Sequence, residues 1–193
     1  MRPARILFLH GLGDTPHGWA ETLREAFGTR LAYVTFELPE APKARVTCNG
    51  GMVMTSWMDL HDIPVTPGAF DDEPTITRSV EIVHRAVDKA IEGGIPPERV
   101  VIGGFSQGAA LAFISTLRYS QRLGGCVMLS GWPPFVNTEP IAQSANAKTV
   151  RRRAARAPSQ RARRSGASRA SARVAPDGAR CAPAGRTFSL PTA

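Results

Sequence analysis

Residues 99–117 read Arg-Val-Val-Ile-Gly-Gly-Phe-Ser-Gln-Gly-Ala-Ala-Leu-Ala-Phe-Ile-Ser-Thr-Leu, and this stretch decides the fold. It begins with a short β-branched run typical of a buried strand and ends with apolar residues at helical spacing. A Gly-x-Ser-x-Gly pattern between a strand and a helix predicts a nucleophile elbow, the sharp turn that exposes a serine hydroxyl above a sheet. Gly104 and Gly108 favour that interpretation, because side chains flanking so tight a turn would collide. The alternative is an ordinary strand-to-helix turn in which Ser106 is merely solvated.

Strand and helix patterns alternate on both sides of this stretch. Short apolar runs predict strands, and apolar residues spaced by three or four predict helices. Residues 38–74 have no clear periodicity. The alternation predicts an α/β fold with a parallel sheet and helices on both faces. The predicted strands are Ile6–Leu9, Leu31–Phe36, Val100–Ile102 and Gly125–Ser130, and the further predicted helices are His17–Phe27 and 75–93.

Ligands of such sheets bind beyond the carboxyl ends of the strands. Three segments directly follow predicted strands, namely His10-Gly-Leu-Gly-Asp14, Gly104–Gly108 and Ser130-Gly-Trp132. We therefore expect these three segments to converge on one rim of the sheet, where a binding or catalytic site would lie.

Length and composition limit the class of protein. A chain of 193 residues is long enough for one well-packed domain. No apolar run approaches the roughly 18 residues of a membrane span, and the run near the N-terminus is shorter than the roughly 7–15 residues of a secretory signal. The three cysteines are scattered, with neither metal-ligand nor disulfide spacing, as is typical of a reducing compartment. These features predict a cytoplasmic protein without a transmembrane segment.

The net charge of +8 is concentrated at one end of the chain. Residues 1–149 contain 13 Lys and Arg against 15 Asp and Glu, whereas residues 150–193 contain 11 Arg and one acidic residue, Asp177. This second segment consists mostly of Arg, Ala, Ser, Gly and Pro, with too few large apolar residues for a core. We therefore predict a folded domain over residues 1–149 and a disordered tail over residues 150–193.

Five sequence blocks occur in a characteristic order: His10-Gly-Leu-Gly-Asp-Thr15, Pro39-Glu-Ala-Pro42, Gly51–Asp59, Gly93–Gly108 and Leu129-Ser-Gly131. With their neighbours, over about residues 5–149, they resemble the acyl-protein thioesterase/carboxylesterase branch of the α/β-hydrolases, the phospholipase/carboxylesterase family. The resemblance implies an α/β-hydrolase fold and a serine esterase or thioesterase that uses no metal or organic cofactor. The implied partner is an acyl ester or thioester substrate, such as a lipidated protein or a lysophospholipid, and no nucleic acid is expected.

The resemblance also implies roles for individual residues. Ser106 would be the acyl-accepting nucleophile, and the backbone N–H groups of Leu12 and Gln107 would form the oxyanion hole. Two preorganised donors suit this chemistry, because acyl transfer passes through a tetrahedral oxyanion. For the turn that contains Leu12, a phosphate-binding or merely tight loop is the alternative. Met54 and Trp57 would lie beside the acyl chain, and ordinary core packing explains such residues about equally well.

The histidines do not fit the expected mechanism. A serine hydroxyl needs a base, normally a histidine oriented by a carboxylate, and in α/β-hydrolases both follow the serine in sequence. After Ser106 the chain contains only two acidic residues, Glu139 and Asp177, and no histidine. We expect His84 to face solvent and no upstream histidine to replace the base, so the sequence predicts low or no activity. The four histidines are His10, His17, His61 and His84.

The abrupt change of composition after residue 149 leads to two hypotheses. In the first, a frameshift, a missed intron or an alternative splice replaced the last quarter of an ordinary esterase, so that the family's later strands, Asp loop and Gly-His turn are missing. In the second, the arginine-rich arm binds nucleic acid or anionic lipid through phosphate contacts. Phe188 is the only aromatic residue of this arm, which argues against base stacking.

Overall fold

The structure is a computed structural model that describes residues 2–28, 30–66, 68–135 and 143–149, all within one compact unit. The predicted tail over residues 150–193 and the expected loss of later strands lie outside the described residues. Within them, the strands are β1 Ala4–Leu9, β2 Val34–Glu37, β3 Lys43–Val46, β4 Met52–Thr55, β5 Val100–Phe105 and β6 Gly125–Leu129. The α-helices are α1 Pro16–Phe27, α2 Glu73–Glu92 and α3 Gln107–Arg118.

A parallel sheet forms the centre of the described unit, with the strand order β2-β1-β5-β6. This sheet confirms the prediction of an α/β fold. Strand β2 begins at Val34, three residues later than predicted, because the chain first turns back from α1. Two backbone hydrogen bonds make that turn, from the Leu31 N–H to the Phe27 carbonyl at 2.9 Å and from the Val34 N–H to the Leu31 carbonyl at 2.8 Å.

Helices cover both faces of the sheet, as the alternation of strands and helices predicts. Side chains that alternate along β1 point to opposite faces. Leu7 and Leu9 lie in the buried core formed with α2 and α3. Phe8, between them, contacts Trp19 of α1, with 4.7 Å between the ring centroids. Helix α2 buries an apolar stripe at the predicted spacing, formed by Ile76, Val80, Val83 and Val87.

Residues 38–74 contain a hairpin that the sequence analysis did not predict. Strands β3 and β4 pair antiparallel, with Lys43 opposite Thr55 and Val46 opposite Met52. The connection includes Gly50 and Gly51, whose φ angles of 65° and 76° lie in the region that favours glycine. Each strand has only four residues, so the alternation of side chains is too short to stand out in the sequence.

Strand β1 and helix α3 approach each other unusually closely at Gly108. A Cβ atom at this position would lie 2.2 Å from the carbonyl oxygen of Leu9 and 2.5 Å from that of His10. At Gly104 a Cβ atom would lie 2.4 Å from the carbonyl oxygen of Gly108. The two glycines therefore let the start of α3 lie against the end of β1, which brings the turns after β1 and β5 together.

Within the described residues, no helix combines the length and the apolar character needed to cross a bilayer.

Candidate active site

Ser106 occupies the sharp turn between β5 and α3. Its backbone angles, φ 52° and ψ −117°, are rare for a residue with a side chain. Its N–H donates to the carbonyl of Leu129 at 2.9 Å, and its carbonyl accepts from the N–H groups of Ala109 and Ala110 at 3.0 and 3.2 Å. In the described part of the chain, the hydroxyl makes no hydrogen bond to cap the helix. This geometry is that of a nucleophile elbow.

The turn after β1 lies against this elbow. A Cβ atom at Gly11 would be 3.7 Å from the Cβ atom of Ser106, and one at Gly131, after β6, would be 3.0 Å from the Ser106 carbonyl oxygen. The three segments expected at the rim therefore meet at Ser106. Among the described residues, the backbone N–H groups of Leu12 and Gln107 donate to no acceptor. These two N–H groups are the donors that the sequence analysis assigned to the oxyanion hole.

The side chain of Gln107 binds the segment that follows β4. It is fully buried. Its Oε1 accepts a hydrogen bond from the Trp57 N–H at 2.8 Å, and its Nε2 donates to the Met58 carbonyl at 2.8 Å and to the Ser56 hydroxyl at 3.1 Å. Sequence reasoning assigned a role only to the backbone of Gln107, because its partners lie about fifty residues earlier in the chain.

His10 is buried directly behind the turn that contains Leu12, with 1 % of its surface exposed. Its Nδ1 lies 2.8 Å from the carbonyl oxygen of Gly11, and its Nε2 lies 3.1 Å from the backbone nitrogen of Ala41. The indole N–H of Trp57 donates to the His10 carbonyl at 2.9 Å. Both ring nitrogens and the carbonyl of His10 are therefore in use within the protein.

Met54 and Trp57 lie in different environments. Trp57 is 1 % exposed, and its ring packs on that of His10 with 5.3 Å between the centroids. Met54 is half-buried, and its sulfur lies 3.6 Å from the position of a Cβ atom at Gly13. The N–H of Gly13 donates to the carbonyl of Thr55 at 2.8 Å. Met54 thus borders the turn after β1 from the hairpin, whereas Trp57 supports that turn from the core.

His84 differs from the expectation that it faces solvent. It is half-buried between α2 and α3, where its Nε2 lies 2.8 Å from the Ser115 carbonyl oxygen and its ring meets Tyr119 edge to face. The hydroxyl of Tyr119 donates to Asp88 at 2.6 Å. Burial, together with this hydrogen bond to Asp88, raises the pKa of Tyr119. His84 therefore joins two packed helices, a contact that helical spacing alone does not reveal.

His61 and Asp59 form an ion-pair arrangement on the loop after β4. Their closest side-chain atoms, Nε2 and Oδ2, are 3.8 Å apart, and the His61 ring stacks on Phe70. Burial tends to raise the pKa of Asp59, but hydrogen bonds from Thr47 and from the Leu60 N–H, together with the charge of His61, hold the pKa below its ordinary value. Within the described residues, none of the four histidines is hydrogen-bonded to Ser106. In the part of the chain that the structure describes, no histidine therefore serves Ser106 as a hydrogen-bonded base.

In the part of the chain that the structure describes, no three His, Cys, Asp or Glu side chains come together to hold a metal ion. Cys126 is free, and burial raises its pKa to about 11, so that its thiol is a poor nucleophile at neutral pH.

An elbow at the end of a central parallel strand, facing a glycine-containing turn at the end of the neighbouring strand, is the arrangement of the α/β-hydrolases. The family model described as Phospholipase/Carboxylesterase matches residues 2–153. The chain therefore belongs to the phospholipase/carboxylesterase family, which confirms the resemblance found in the sequence.

Named relatives and solved structures agree with this membership. A rice protein (Oryza sativa subsp. japonica) named "Probable inactive carboxylesterase" is 41% identical over 145 residues, which cover 74% of this chain and 59% of the relative. The crystal structure of SOBER1, a carboxylesterase of Arabidopsis thaliana, superimposes with a TM-score of 0.69 at 39% identity, covering 74% of this chain and 67% of SOBER1. The crystal structure of Zea mays acyl-protein thioesterase 2 superimposes with a TM-score of 0.58 at 31% identity, covering 69% of this chain and 59% of the Zea mays protein. The chain spans about half to three fifths of the length of the curated relatives it matches.

Proposed function

We propose that this chain contains a serine hydrolase site that cleaves carboxylic esters or thioesters through an acyl-Ser106 intermediate. The observation that carries the proposal is the strained turn at Ser106, which packs against the turn after β1. The backbone N–H groups of Leu12 and Gln107 in these two turns have no acceptor among the described residues. An ester carbonyl over the Ser106 hydroxyl would direct its oxygen toward such donors. Family membership supports the same chemistry, because the relatives are named carboxylesterases and an acyl-protein thioesterase.

The proposed reaction has two stages. The Ser106 oxygen attacks the acyl carbonyl and its proton passes through solvent water to the oxygen or sulfur that leaves, while the N–H groups of Leu12 and Gln107 stabilise the tetrahedral oxyanion. Each such donor lowers the barrier by about 3–4 kcal/mol in comparable sites. The alcohol or thiol then leaves and water attacks the acyl-serine. Because Gln107 is the first residue of α3, the helix dipole also favours the developing negative charge.

We propose acyl esters or thioesters of lipids or lipidated proteins as the substrate class. The structural relative named acyl-protein thioesterase 2 supports this choice. Met54 borders the turn after β1 with a soft apolar side chain, and we propose that it contacts the acyl chain. Trp57 would act from below, by shaping the floor of the site, because its side chain is buried.

A second candidate function is a protein that keeps the acyl-transfer fold without turnover. No histidine follows Ser106 in the chain, and among the described residues no histidine is hydrogen-bonded to Ser106. One relative, 41% identical, is itself named as probably inactive. In this alternative, Ser106 could react with an activated reagent but could not release the product.

Two measurements on the full chain separate the candidates: covalent labelling by a fluorophosphonate, and turnover of p-nitrophenyl acyl esters. Labelling with turnover supports the esterase, and labelling without turnover supports the second candidate. Absence of labelling in folded protein contradicts both candidates. Ser106→Ala should remove labelling, whereas the matched control Ser120→Ala, at an exposed serine after α3, should retain it.

A further inference from the structure

From the contacts of its ring, we infer that His10 is a positioning residue for the oxyanion hole rather than a base. The inference rests on the proposed function, since it concerns the N–H group of Leu12. A trans peptide is planar, so its C=O and N–H point in opposite directions. The Gly11 carbonyl and the Leu12 N–H belong to the same peptide. A partner that fixes the Gly11 oxygen therefore fixes the direction of the Leu12 N–H as well.

That partner is the imidazole of His10, whose Nδ1 lies 2.8 Å from the Gly11 oxygen. The contact made by the other ring nitrogen, Nε2, determines which of the two nitrogens carries the proton. Nε2 lies 3.1 Å from the backbone nitrogen of Ala41, which can only donate. Nε2 must therefore be the acceptor, and Nδ1 carries the proton and donates it to Gly11. The ring is a neutral imidazole with both nitrogens occupied.

The surroundings hold this ring in place. Trp57 packs on its face and donates its indole N–H to the His10 carbonyl, and the ring is 1 % exposed. On the other side of the peptide lies the elbow, since a Cβ atom at Gly11 would be 3.3 Å from the Phe105 ring and 3.7 Å from the Cβ atom of Ser106. The Leu12 N–H is consequently held beside the nucleophile before any substrate arrives, as electrostatic stabilisation of an oxyanion requires.

Two substitutions of His10 separate positioning from packing. In His10→Asn, the side-chain amide nitrogen takes the place of Nδ1 and can still donate to Gly11, while the contact with Ala41 is lost. In His10→Gln, the amide oxygen takes the place of Nε2 and can still accept from Ala41, while the donor to Gly11 is lost. Each variant loses one buried hydrogen bond. A purely structural role of His10 therefore predicts equal changes in the Leu12 order parameter and in the labelling rate.

The first readout is NMR of the full chain, which needs no enzymatic activity. We expect the ¹⁵N spectrum of His10 to place the proton on Nδ1. We expect the order parameter of the Leu12 amide to stay near about 0.85 in the wild type and in His10→Asn, and to fall toward about 0.6 in His10→Gln. A proton on Nε2, or an equal change in the two variants, would overturn the inference.

The second readout is the rate of fluorophosphonate labelling, normalised to the folded fraction. We expect His10→Asn to label within about threefold of the wild type, and His10→Gln to label at least about tenfold more slowly, since misplacing a catalytic group by about 1 Å costs about a hundredfold. Equal rates in the two variants would contradict positioning. If the wild type does not label at all, the proposed function fails, and the order parameters alone decide the role of His10.

Discussion

At position 106 the backbone and the side chain make opposite demands. The φ angle of 52° favours glycine, whereas the proposed chemistry needs a hydroxyl. A residue held in such a sparsely populated conformation costs about 1–3 kcal/mol, and such residues cluster at functional sites. The surrounding hydrogen bonds, in particular that from the Ser106 N–H to Leu129, hold the turn in place.

We therefore expect Ser106→Gly to raise the free energy of unfolding by about 1 kcal/mol, because relief of strain exceeds the added entropy of the unfolded chain. Labelling by a fluorophosphonate should be abolished. Ser106→Ala is the control, since it removes the hydroxyl and keeps the strain. Urea unfolding measures the difference, and equal stability of the two variants would argue against a strained elbow.

Replacement of Gln107 is the second single-residue change with a predicted effect on stability. Gln107→Leu leaves the Trp57 N–H and the Met58 carbonyl buried without their partner, and we expect a loss of about 2–4 kcal/mol. The control on the same helix is Ser115→Ala, because the buried Ser115 hydroxyl has no hydrogen-bond partner in the described part of the chain. Thermal denaturation should show that Ser115→Ala lowers the free energy of unfolding by less than about 1 kcal/mol. Similar losses in both variants would contradict the role of the Gln107 amide.

The contrast between Ser106 and His10 explains how much of the site the sequence predicts. The elbow depends on local sterics, so a serine between two glycines, after a strand and before a helix, is enough to find it. The contact of His10 with Ala41 spans 31 residues and that of Gln107 with Trp57 spans 50. Such contacts depend on how elements dock, and no local pattern encodes them.

Among the elements, the docking of α3 on β1 has the tightest tolerance. In Gly108→Ala, the new methyl group would lie 2.2 Å from the Leu9 carbonyl oxygen, and backbone cannot give way as a flexible side chain can. We expect a loss above about 3 kcal/mol, beyond typical overpacking, or no soluble folded protein. Gly125→Ala is the control, because among the described residues its methyl group would meet only Val101, at an ordinary 3.6 Å. Circular dichroism and thermal melts measure both variants.

The hairpin of β3 and β4 was missed because its strands are short, but its connection to the following loop is well defined. Asp59 accepts hydrogen bonds from the N–H of Thr47 at 2.8 Å and from its hydroxyl at 2.5 Å. These bonds hold the residue after β3 against the loop after β4. They also stabilise the charged form of Asp59, whose pKa is lowered in the folded state.

The lowered pKa of Asp59 predicts that the free energy of unfolding depends on pH. Because the folded state binds the proton of Asp59 less readily than the unfolded state, the stabilisation is fully present above the ordinary value of 3.8 and is lost as the pH falls below it. We expect Asp59→Asn to lower the free energy of unfolding by about 0.5–1 kcal/mol at pH 7 and by less at pH 3, because the stabilisation declines as the pH falls from 3.8 through the lower folded-state pKa. Urea titrations at the two pH values test this. Asp62→Asn, at an exposed neighbour, should change stability little at either pH.

For the whole molecule, the alternation of elements predicts the parallel sheet and the helices on both faces, because these depend on patterns that recur along the chain. The distribution of charge leads to a separate prediction. Since residues 150–193 carry 11 arginines and one acid, we expect the full chain to bind heparin at low salt and to elute as salt rises. A chain of residues 1–149 should flow through. Retention that persists in high salt would contradict an electrostatic origin.

The stretch Thr55–Met58 has a consequence for how the substrate range of this protein could change. The turn that contains the Leu12 N–H is hydrogen-bonded to Thr55. The start of α3, which contains the Gln107 N–H, is hydrogen-bonded to Trp57 and Met58. A displacement of these four residues would carry both amides with it and leave their separation the same. In the proposed esterase, new acyl groups would therefore be accommodated by altering side chains around the proposed opening, such as Met54, while the distance between the Leu12 and Gln107 N–H groups stays constant.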